Sequence, residues 1–378
     1  MQILAGLIHF YGLGNILLIL QEYFRVLKNS AMKFHPARIS VFIGLTALIS
    51  FSSCNRNPVI DQYTFVVTGD DRIAAAEDSL HPEYNTINVY QMKRLFKEVS
   101  EMKPLPKMLI FDGDLVLGYT GGDTVKLANE LRAWIKIYKE SPLASTSVRL
   151  IPFAGNHETC EKIGSGRVAY ASEERTFARE MKEFIAGNNG PHYTGLRPGT
   201  DSLMSDQSML TYSFDFGGDH YVIFNTDAVD RESHIPYHWL EKDLKQAREN
   251  GARHIFLFGH KPAWPTTFNT ETGLDDYPAN RDSAWNVMER YDADAYFCSH
   301  FHLWDTVHPH AGKTWEVVCG NAGAPCPKDW IGPYYGYTVV KVYSKVDLTS
   351  MGRDLDLNTY TEPRDDKATM IRAQLTIR

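Results

Sequence analysis

The sequence of 378 residues is poor in cysteine, has no excess of basic charge, and contains no internal repeat or low-complexity segment. Its five cysteines include no CxxC pair, so no cysteine motif points to a zinc site or to dithiol redox chemistry. Lys and Arg number 39 against 46 Asp and Glu, and the net charge of −7 argues against a nucleic-acid partner. With 43% apolar residues, the composition is that of a globular protein able to bury a sizeable core.

The first 54 residues differ in character from the rest. Residues 3–20 are apolar and marginally long enough to span a bilayer, whereas the shorter apolar run 39–51 suits the core of a signal peptide. Met32 opens a basic segment before the second run, and Cys54 follows two serines after it, an arrangement that resembles a bacterial lipoprotein signal. We therefore expect a leader over 1–54, with 1–31 an over-extended start.

This leader predicts export to the bacterial cell envelope, with the protein held at the membrane by a lipid anchor. Two alternatives remain open at this stage. The segment could be a plain signal peptide or signal anchor, in which residues 3–20 form a membrane helix, or it could be an ordinary cytoplasmic start.

From residue 63 the chain alternates segments typical of buried strands with segments typical of amphipathic helices. Strands are predicted at 64–68, 107–111, 148–153, 253–258, 293–299, 314–318 and 335–343, with a hairpin over 210–226. Helices are predicted near 92–102, 128–138, 173–185 and 239–249. This alternation predicts an α/β layered domain over 55–345, followed by a charged tail or hairpin at 346–378.

Residues of the types that bind metals or phosphate follow five of the predicted strands. They are Asp70, Asp114, Asn156, His157, His260, His300 and His302. Taken singly, such an aspartate is often a turn or cap residue, and such a histidine is often part of a core. The pair at 300 and 302 is stronger, because side chains two residues apart on an extended chain point the same way. Carboxylate, imidazole and amide ligands together suit Mn, Fe or Zn better than Mg or Ca.

This ordered set of strand-end residues resembles that of the calcineurin-like metallophosphoesterase superfamily, over about residues 63–343. The resemblance implies a four-layer α/β/β/α sandwich, with two mixed β-sheets packed face to face and helices outside. It also implies a hydrolase of phosphomonoesters or phosphodiesters that acts on a small phosphorylated substrate and has no nucleic-acid partner.

The resemblance further implies two divalent metal ions and a role for each residue. Asp114 would bridge the ions; the first would be held by Asp70 and His302, and the second by Asn156, His260 and His300. A hydroxide bridging the metals would attack phosphorus, and His157 would contact the phosphate and protonate the leaving oxygen. Glu158 would orient or cap its neighbours.

Two positions depart from the family pattern. Arg72 stands where the commonest pattern has a metal-binding histidine, and a guanidinium cannot coordinate a cation. Arg72 could be a forked donor to a substrate phosphate, or it could form a salt bridge to Asp71, Asp112 or another acid. Leu117 stands where the purple acid phosphatase branch has a tyrosine ligand, and Tyr119 comes two residues later, which argues against a tyrosine-ligated ferric site.

A second class of function is also compatible with the sequence. The chain could be a catalytically inert, metal-binding surface lipoprotein that retains the fold. The presence of His157 argues against this alternative, because a binding module has no need of an acid histidine.

Overall fold

Strands make up most of the regular structure in the part of the chain that the structure describes. The computed structural model describes residues 59–74, 88–164, 166–193, 200–268, 273–327, 329–354 and 368–378. These belong to one unit that extends over 57–378. The leader expected at 1–54 lies outside the described residues. Within the described ranges, no helix is long and apolar enough to cross a membrane.

The strands and helices follow one another in the alternating order that the sequence indicated. The strands are β1 (Tyr63–Thr68), β2 (Met108–Asp112), β3 (Arg149–Phe153), β4 (Cys160–Ile163), β5 (Gly166–Ala169), β6 (Tyr212–Phe216), β7 (Asp219–Phe224), β8 (Asp227–Ala228), β9 (Arg231–Glu232), β10 (Ile255–Gly259), β11 (Ala295–Cys298), β12 (Trp304–Val307), β13 (Trp315–Cys319), β14 (Tyr334–Val342), β15 (Val346–Asp354) and β16 (Met370–Thr376). The α-helices are α1 (Val89–Glu101), α2 (Thr124–Lys139), α3 (Asn156–Thr159), α4 (Ala171–Glu180), α5 (Tyr237–Glu249) and α6 (Pro278–Arg290).

Two six-stranded sheets carry the fold. Their strand orders are β16-β15-β14-β1-β2-β3 and β12-β13-β11-β10-β7-β6. In the first sheet β1, β2 and β3 are parallel, and β14 runs antiparallel to β1. In the second, β7, β10, β11 and β13 are parallel, with β6 and β12 antiparallel at the two edges. Both sheets are therefore mixed.

The two sheets pack face to face, with helices on their outer faces. On β1, Phe65 and Val67 point into the core between the sheets, whereas Val66 points toward the helices. The ring of Phe65 contacts four rings of the second sheet, those of Tyr221, Phe256, Phe258 and Phe297. Burying each such side chain stabilises the fold by about 1.5–3 kcal/mol. Helices α1, α2 and α4 cover the first sheet, and α5 and α6 cover the second. The four-layer sandwich that the resemblance implied is confirmed.

The segment at 346–378 contributes two strands to the first sheet. β15 pairs along its length with β14, and β16 pairs with β15. The buried Arg353 of β15 also reaches helix α1, where its Nη2 donates to Gln91 Oε1 at 2.5 Å. Polar Ser350 and small Gly352 occupy buried positions of β15, which weakens the alternating apolar pattern that marks a strand.

The cysteines of the described residues do not form disulfides with one another. All four are buried free thiols: Cys160, Cys298, Cys319 and Cys326.

One histidine ties the second sheet to helix α5 and gives a pH-dependent contribution to stability. His220 on β7 contacts Asp215 at 2.6 Å and Asp243 at 2.8 Å. Burial alone lowers the pKa of His220, but the hydrogen bonds to the two carboxylates outweigh it and raise the pKa to about 9. The ordinary pKa of an unfolded histidine is about 6.5.

We therefore expect the contribution of His220 to be complete below pH 6.5 and to be lost as the pH rises to about 9. The pKa difference corresponds to about 3 kcal/mol in the free energy of unfolding. Urea denaturation at pH 6 and pH 9 measures this loss, and a His220→Gln variant should lose much less between the two values. An equal loss in both proteins would contradict the assignment.

Candidate metal centre

The candidate site residues all follow the carboxyl ends of parallel strands. Asp70 follows β1, Asp114 follows β2, and Asn156 and His157 begin α3 directly after β3. On the second sheet His260 follows β10, and two further histidines, His300 and His302, follow β11. Because the two sheets pack face to face, these strand ends meet at one edge of the sandwich. All but His302 are buried.

The side chains form two overlapping groups. Ligand atoms of Asp114, His260 and His300 lie within 4.8 Å of one another, and so do those of Asp70, Asp114 and His302. Asp114 thus belongs to both groups, which coincides with the bridging position that the resemblance implies. Asn156 joins the first of these groups, because its Oδ1 lies 3.0 Å from His260 Nε2.

Left-handed backbone conformations direct these side chains into the site. Positive φ angles of 50–68° occur at Asp70, Arg72, Asp114, His300 and His302. The extended chain expected at 300–302 is therefore wrong. Phe301 N donates to Ser299 O at 2.7 Å, and this turn sends the two imidazoles to different groups, on either side of Asp114. Such conformations are uncommon for residues other than glycine and are often found at functional sites.

Glycine makes room for this arrangement at Gly155. A Cβ at that position would lie 2.3 Å from Asp114 Oδ1 and 2.9 Å from His260 Cε1. No larger residue fits there unless Asp114 moves, so the close approach of the β2 and β3 loops requires glycine.

Backbone carbonyls fix the orientation of three imidazole rings. Nδ1 of His260 lies 3.1 Å from Asp112 O, and Nδ1 of His302 lies 2.9 Å from Pro325 O. Nδ1 of His157 contacts Leu117 O in the same way. A ring that donates its Nδ1 proton to a carbonyl keeps the lone pair on Nε2, the arrangement that metal-binding histidines adopt.

The donor set fits cations rather than a self-contained hydrogen-bond network. His260 Nε2 lies 3.1 Å from Asp114 Oδ1, 3.0 Å from Asn156 Oδ1 and 3.2 Å from His300 Nδ1. Converging lone pairs of this kind repel one another unless a proton or a metal ion lies between them. Both buried carboxyl oxygens of Asp70 lack a hydrogen-bond partner of normal geometry among the described residues. The residues present therefore fit a pair of divalent metal ions.

The electrostatics agree with this. Burial raises the pKa of Asp70 well above its ordinary value, the change expected for a carboxylate without its counter-charge. Burial opposes ionisation of Asp114 as well, but His157 and His260 outweigh it and hold its pKa well below the usual range. Burial and Arg72 lower the pKa of His302 to about 3, so that this imidazole is neutral and able to bind a metal.

His157 lies next to the shared carboxylate. Its Nε2 is 3.6 Å from Asp114 Oδ2, and its backbone N–H donates to Asp114 Oδ1 at 3.0 Å. Burial, followed by the charge of Arg72, lowers the pKa of His157 to about 3 in the protein alone.

Glu158 has the capping role that the sequence allowed for it. Its Oε2 accepts from Gly155 N at 2.8 Å and Asp114 N at 3.0 Å, and its Oε1 accepts from Val116 N at 3.0 Å. One buried carboxylate thereby ties the loop after β2 to the loop after β3. It holds Asp114 in position without belonging to either ligand group.

Arg72 lies beside a candidate ligand. Its Nη1 is 3.1 Å from His302 Nε2, and its backbone N–H donates to Asp114 O at 2.8 Å. The neighbouring Asp71 is buried and belongs to neither group; its Oδ1 would lie 2.5 Å from a Cβ added at Gly323. Asp71 therefore does not take the place of the missing histidine.

Sequence reasoning did not identify Tyr119 as a site residue. Its ring packs against the His157 ring with centroids 3.9 Å apart, and its hydroxyl oxygen lies 2.5 Å from Asn156 Nδ2. Arg167 on β5 also donates to this oxygen, from Nε at 3.0 Å. The only available signal was that Tyr119 lies two residues beyond position 117, where purple acid phosphatases have a tyrosine ligand. The β4–β5 hairpin, which carries Arg167, was not predicted.

The fold and part of the sequence are similar to those of known phosphatases. Purple acid phosphatase 21 of Arabidopsis thaliana is 27% identical over 118 residues, which cover 31% of this chain and 26% of that protein. The structure of purple acid phosphatase PPD1 from yellow lupin (Lupinus luteus) seeds superimposes with a TM-score of 0.54 at 16% identity, covering 83% of this chain and 53% of that one. The structure of PhoD gives a TM-score of 0.53 at 14% identity, covering 85% and 70%.

These structural similarities show a shared fold, and the curated relative is matched over only about a quarter of its length. A broader match comes from the sequence model of calcineurin-like phosphoesterases, which covers residues 63–303. This range holds the residues that follow β1, β2, β3, β10 and β11, and it accounts for well over half of the chain. The protein therefore belongs to the calcineurin-like phosphoesterase family.

Proposed function

We propose that this protein is a metal-dependent phosphoesterase that hydrolyses small phosphomonoesters or phosphodiesters. The observation that carries the proposal is the position of Asp114, which is shared by two groups of ligand atoms. Asp70 and His302 would hold one divalent ion, and Asn156 would hold the other together with His260 and His300. When bound, two such ions lower the pKa of water and neutralise phosphoryl oxygens. Mn, Fe and Zn suit these ligands.

His157 would assist the leaving group. Its Nδ1 is held by Leu117 O, so that Nε2 is the atom that faces the site. A phosphate bound there adds negative charge next to the imidazole, and such charge raises a histidine pKa. His157 would then carry a proton to the departing oxygen.

Arg72 would hold the substrate phosphate. The single lone pair of His302 Nε2 cannot accept from Arg72 Nη1 and bind a metal at the same time. Metal binding at His302 would therefore break this contact, and Nη1 could then donate to a substrate oxygen instead. The forked N–H groups of a guanidinium suit two oxygens of a phosphate.

We expect Arg72→Lys to raise KM for a monoester about 10- to 100-fold, since a charge-assisted hydrogen bond contributes about 1.5–3 kcal/mol. Steady-state kinetics and metal analysis of the same preparation measure the effect, and metal content should not change. Arg132→Lys is the matched control, because Arg132 forms an exposed ion pair with Glu180. An unchanged KM in Arg72→Lys would instead support a purely structural role for Arg72.

The proposed function is tested on the purified protein, first stripped with a chelator and then loaded with Mn²⁺, Fe²⁺ or Zn²⁺. We expect about two metal ions per chain and metal-dependent hydrolysis of p-nitrophenyl phosphate or bis(p-nitrophenyl) phosphate. Comparing the two substrates separates monoesterase from diesterase activity. Metal binding without turnover of either substrate would favour the inert lipoprotein.

We also propose that the protein is exported and lipid-anchored in a bacterial cell envelope. The support is the pattern at 1–54, in which a basic segment, an apolar run and two serines precede Cys54. Labelling with radioactive palmitate tests this, and a Cys54→Ala variant should lose the label. Equal labelling of both proteins would rule out this anchor.

A further inference from the structure

Among the residues that the structure describes, the hydrogen bonds around Tyr119 leave its hydroxyl proton without an acceptor. The hydroxyl oxygen receives Asn156 Nδ2 at 2.5 Å and Arg167 Nε at 3.0 Å. Arginine can only donate. Asn156 donates as well, because its Oδ1 faces His260 and the converging ligand atoms, which leaves Nδ2 on the side of Tyr119. A phenolic oxygen accepts at most two hydrogen bonds, so both of its lone pairs are occupied.

The location of this hydroxyl group links it to the reacting centre. Tyr119 is half-buried, its ring packs on His157, and its oxygen lies one amide group away from the ligand atom of Asn156. The loop after β2, which carries Tyr119, is held against His157 by its backbone, since Tyr119 N donates to His157 O at 3.0 Å. A Cβ on Gly118 would overlap His157 O, so the backbone of this loop packs directly against His157.

We infer that the hydroxyl group of Tyr119 donates a hydrogen bond to a phosphoryl oxygen of the substrate, on the Asn156 side of the site. This inference rests on the proposed function and adds a second contact to the phosphate. Arg72 lies beside His302 in one ligand group, whereas Tyr119 lies beside Asn156 in the other. The substrate phosphate would then be held from both sides, by a guanidinium on one and by a phenol on the other. Arg167 would position the hydroxyl group through its contact with the oxygen.

Two other roles for Tyr119 give different results and can be separated. As a positioning residue only, it would provide the acceptor that keeps Asn156 Oδ1 turned toward the metal. As a phenolate ligand of iron, it would give a visible charge-transfer absorption band.

The test compares Tyr119→Phe with the wild-type protein and with Tyr138→Phe. Tyr119→Phe removes one oxygen and keeps the ring on His157, and Tyr138→Phe removes the same atom on helix α2, where the ring contacts Phe96 and Phe184. Each protein is loaded with Mn²⁺, its metal content is measured, and the binding of inorganic phosphate is followed by calorimetry. This readout does not depend on turnover, so it stands even if the protein hydrolyses neither test substrate.

We expect phosphate to bind about 10- to 100-fold more weakly to Tyr119→Phe at unchanged metal content, and with wild-type affinity to Tyr138→Phe. Unchanged affinity in Tyr119→Phe would overturn the inference. So would an affinity that excess Mn²⁺ restores, because this would show that Tyr119 acts only through Asn156. A visible band in the iron-loaded protein that disappears in Tyr119→Phe would overturn it in favour of a phenolate ligand.

Discussion

An Asp114→Asn variant is expected to lose both metal ions and to hydrolyse phosphoesters at least about 10³-fold more slowly than the wild-type protein. Asp114 is the residue common to the two ligand groups, and its carboxylate lies 3.1 Å from His260 Nε2. A neutral amide cannot compensate the charges of two divalent ions, so the variant loses the metal ions. Losing several kcal/mol of the stabilisation that the ions give to the transition state corresponds to the 10³-fold fall in rate. Asparagine tolerates the positive φ of 50° at this position, so the backbone should keep its shape.

Metal analysis of a set of variants makes this prediction specific. Asp114→Asn should bind neither ion tightly, whereas His302→Ala should lose about one equivalent, because His302 belongs to one group only. Asp71→Asn is the matched control, since Asp71 is an equally buried aspartate that belongs to neither group. Two tightly bound ions in Asp114→Asn would rule out a bridging role for Asp114.

His157→Ala gives the second large effect, a fall in kcat of about 10²- to 10⁴-fold for substrates with a poor leaving group. The reason is that an alkoxide needs a proton as it departs, whereas p-nitrophenolate leaves with little assistance. Hydrolysis of p-nitrophenyl phosphate should therefore fall much less than hydrolysis of an alkyl phosphate. Metal content should be retained, because His157 belongs to neither ligand group.

The measurement is kcat for a series of phosphomonoesters whose leaving groups differ in pKa. In His157→Ala the dependence of the rate on leaving-group pKa should become steeper than in the wild-type protein. His308→Ala is the control, because His308 is exposed and stacks on Trp315. An equal loss for all leaving groups would assign His157 to phosphate binding alone.

Local patterns predicted the alternating strands and helices and the residues at the strand ends, whereas the four layers were implied by the resemblance to a known superfamily. A buried strand followed at once by a metal-binding residue type is visible in the sequence, and parallel strands bring their ends to one edge. The residues around Tyr119 could not be predicted, since they meet only through the conformation of a loop and a hairpin. The turn at His300 and His302 was missed because nothing in the sequence distinguishes it from extended chain.

Helix α6 was not among the predicted helices. It starts at a proline, and its buried residues lie only in its C-terminal half. For residues 346–378 the sequence left open a charged tail or a hairpin. An antiparallel pair of strands, β15 and β16, lies there, and its apolar alternation is weak. The position of β15 depends on its pairing with β14, a contact between strands that no local pattern predicts.

The left-handed backbone at the site restricts which ligands evolution or an engineer can place there. Asp, Asn and His adopt this conformation far more readily than other non-glycine residues, and Glu, which also binds metals, does not share this tolerance. Attempts to change metal selectivity by exchanging Asp70 or Asp114 for Glu would therefore carry a conformational cost as well as a change in reach. Position 72 differs, because arginine already adopts the left-handed conformation there and histidine adopts it more readily. Conversion of the Asp-x-Arg type of this site to the Asp-x-His type thus needs only a change of side chain, on a backbone that favours histidine.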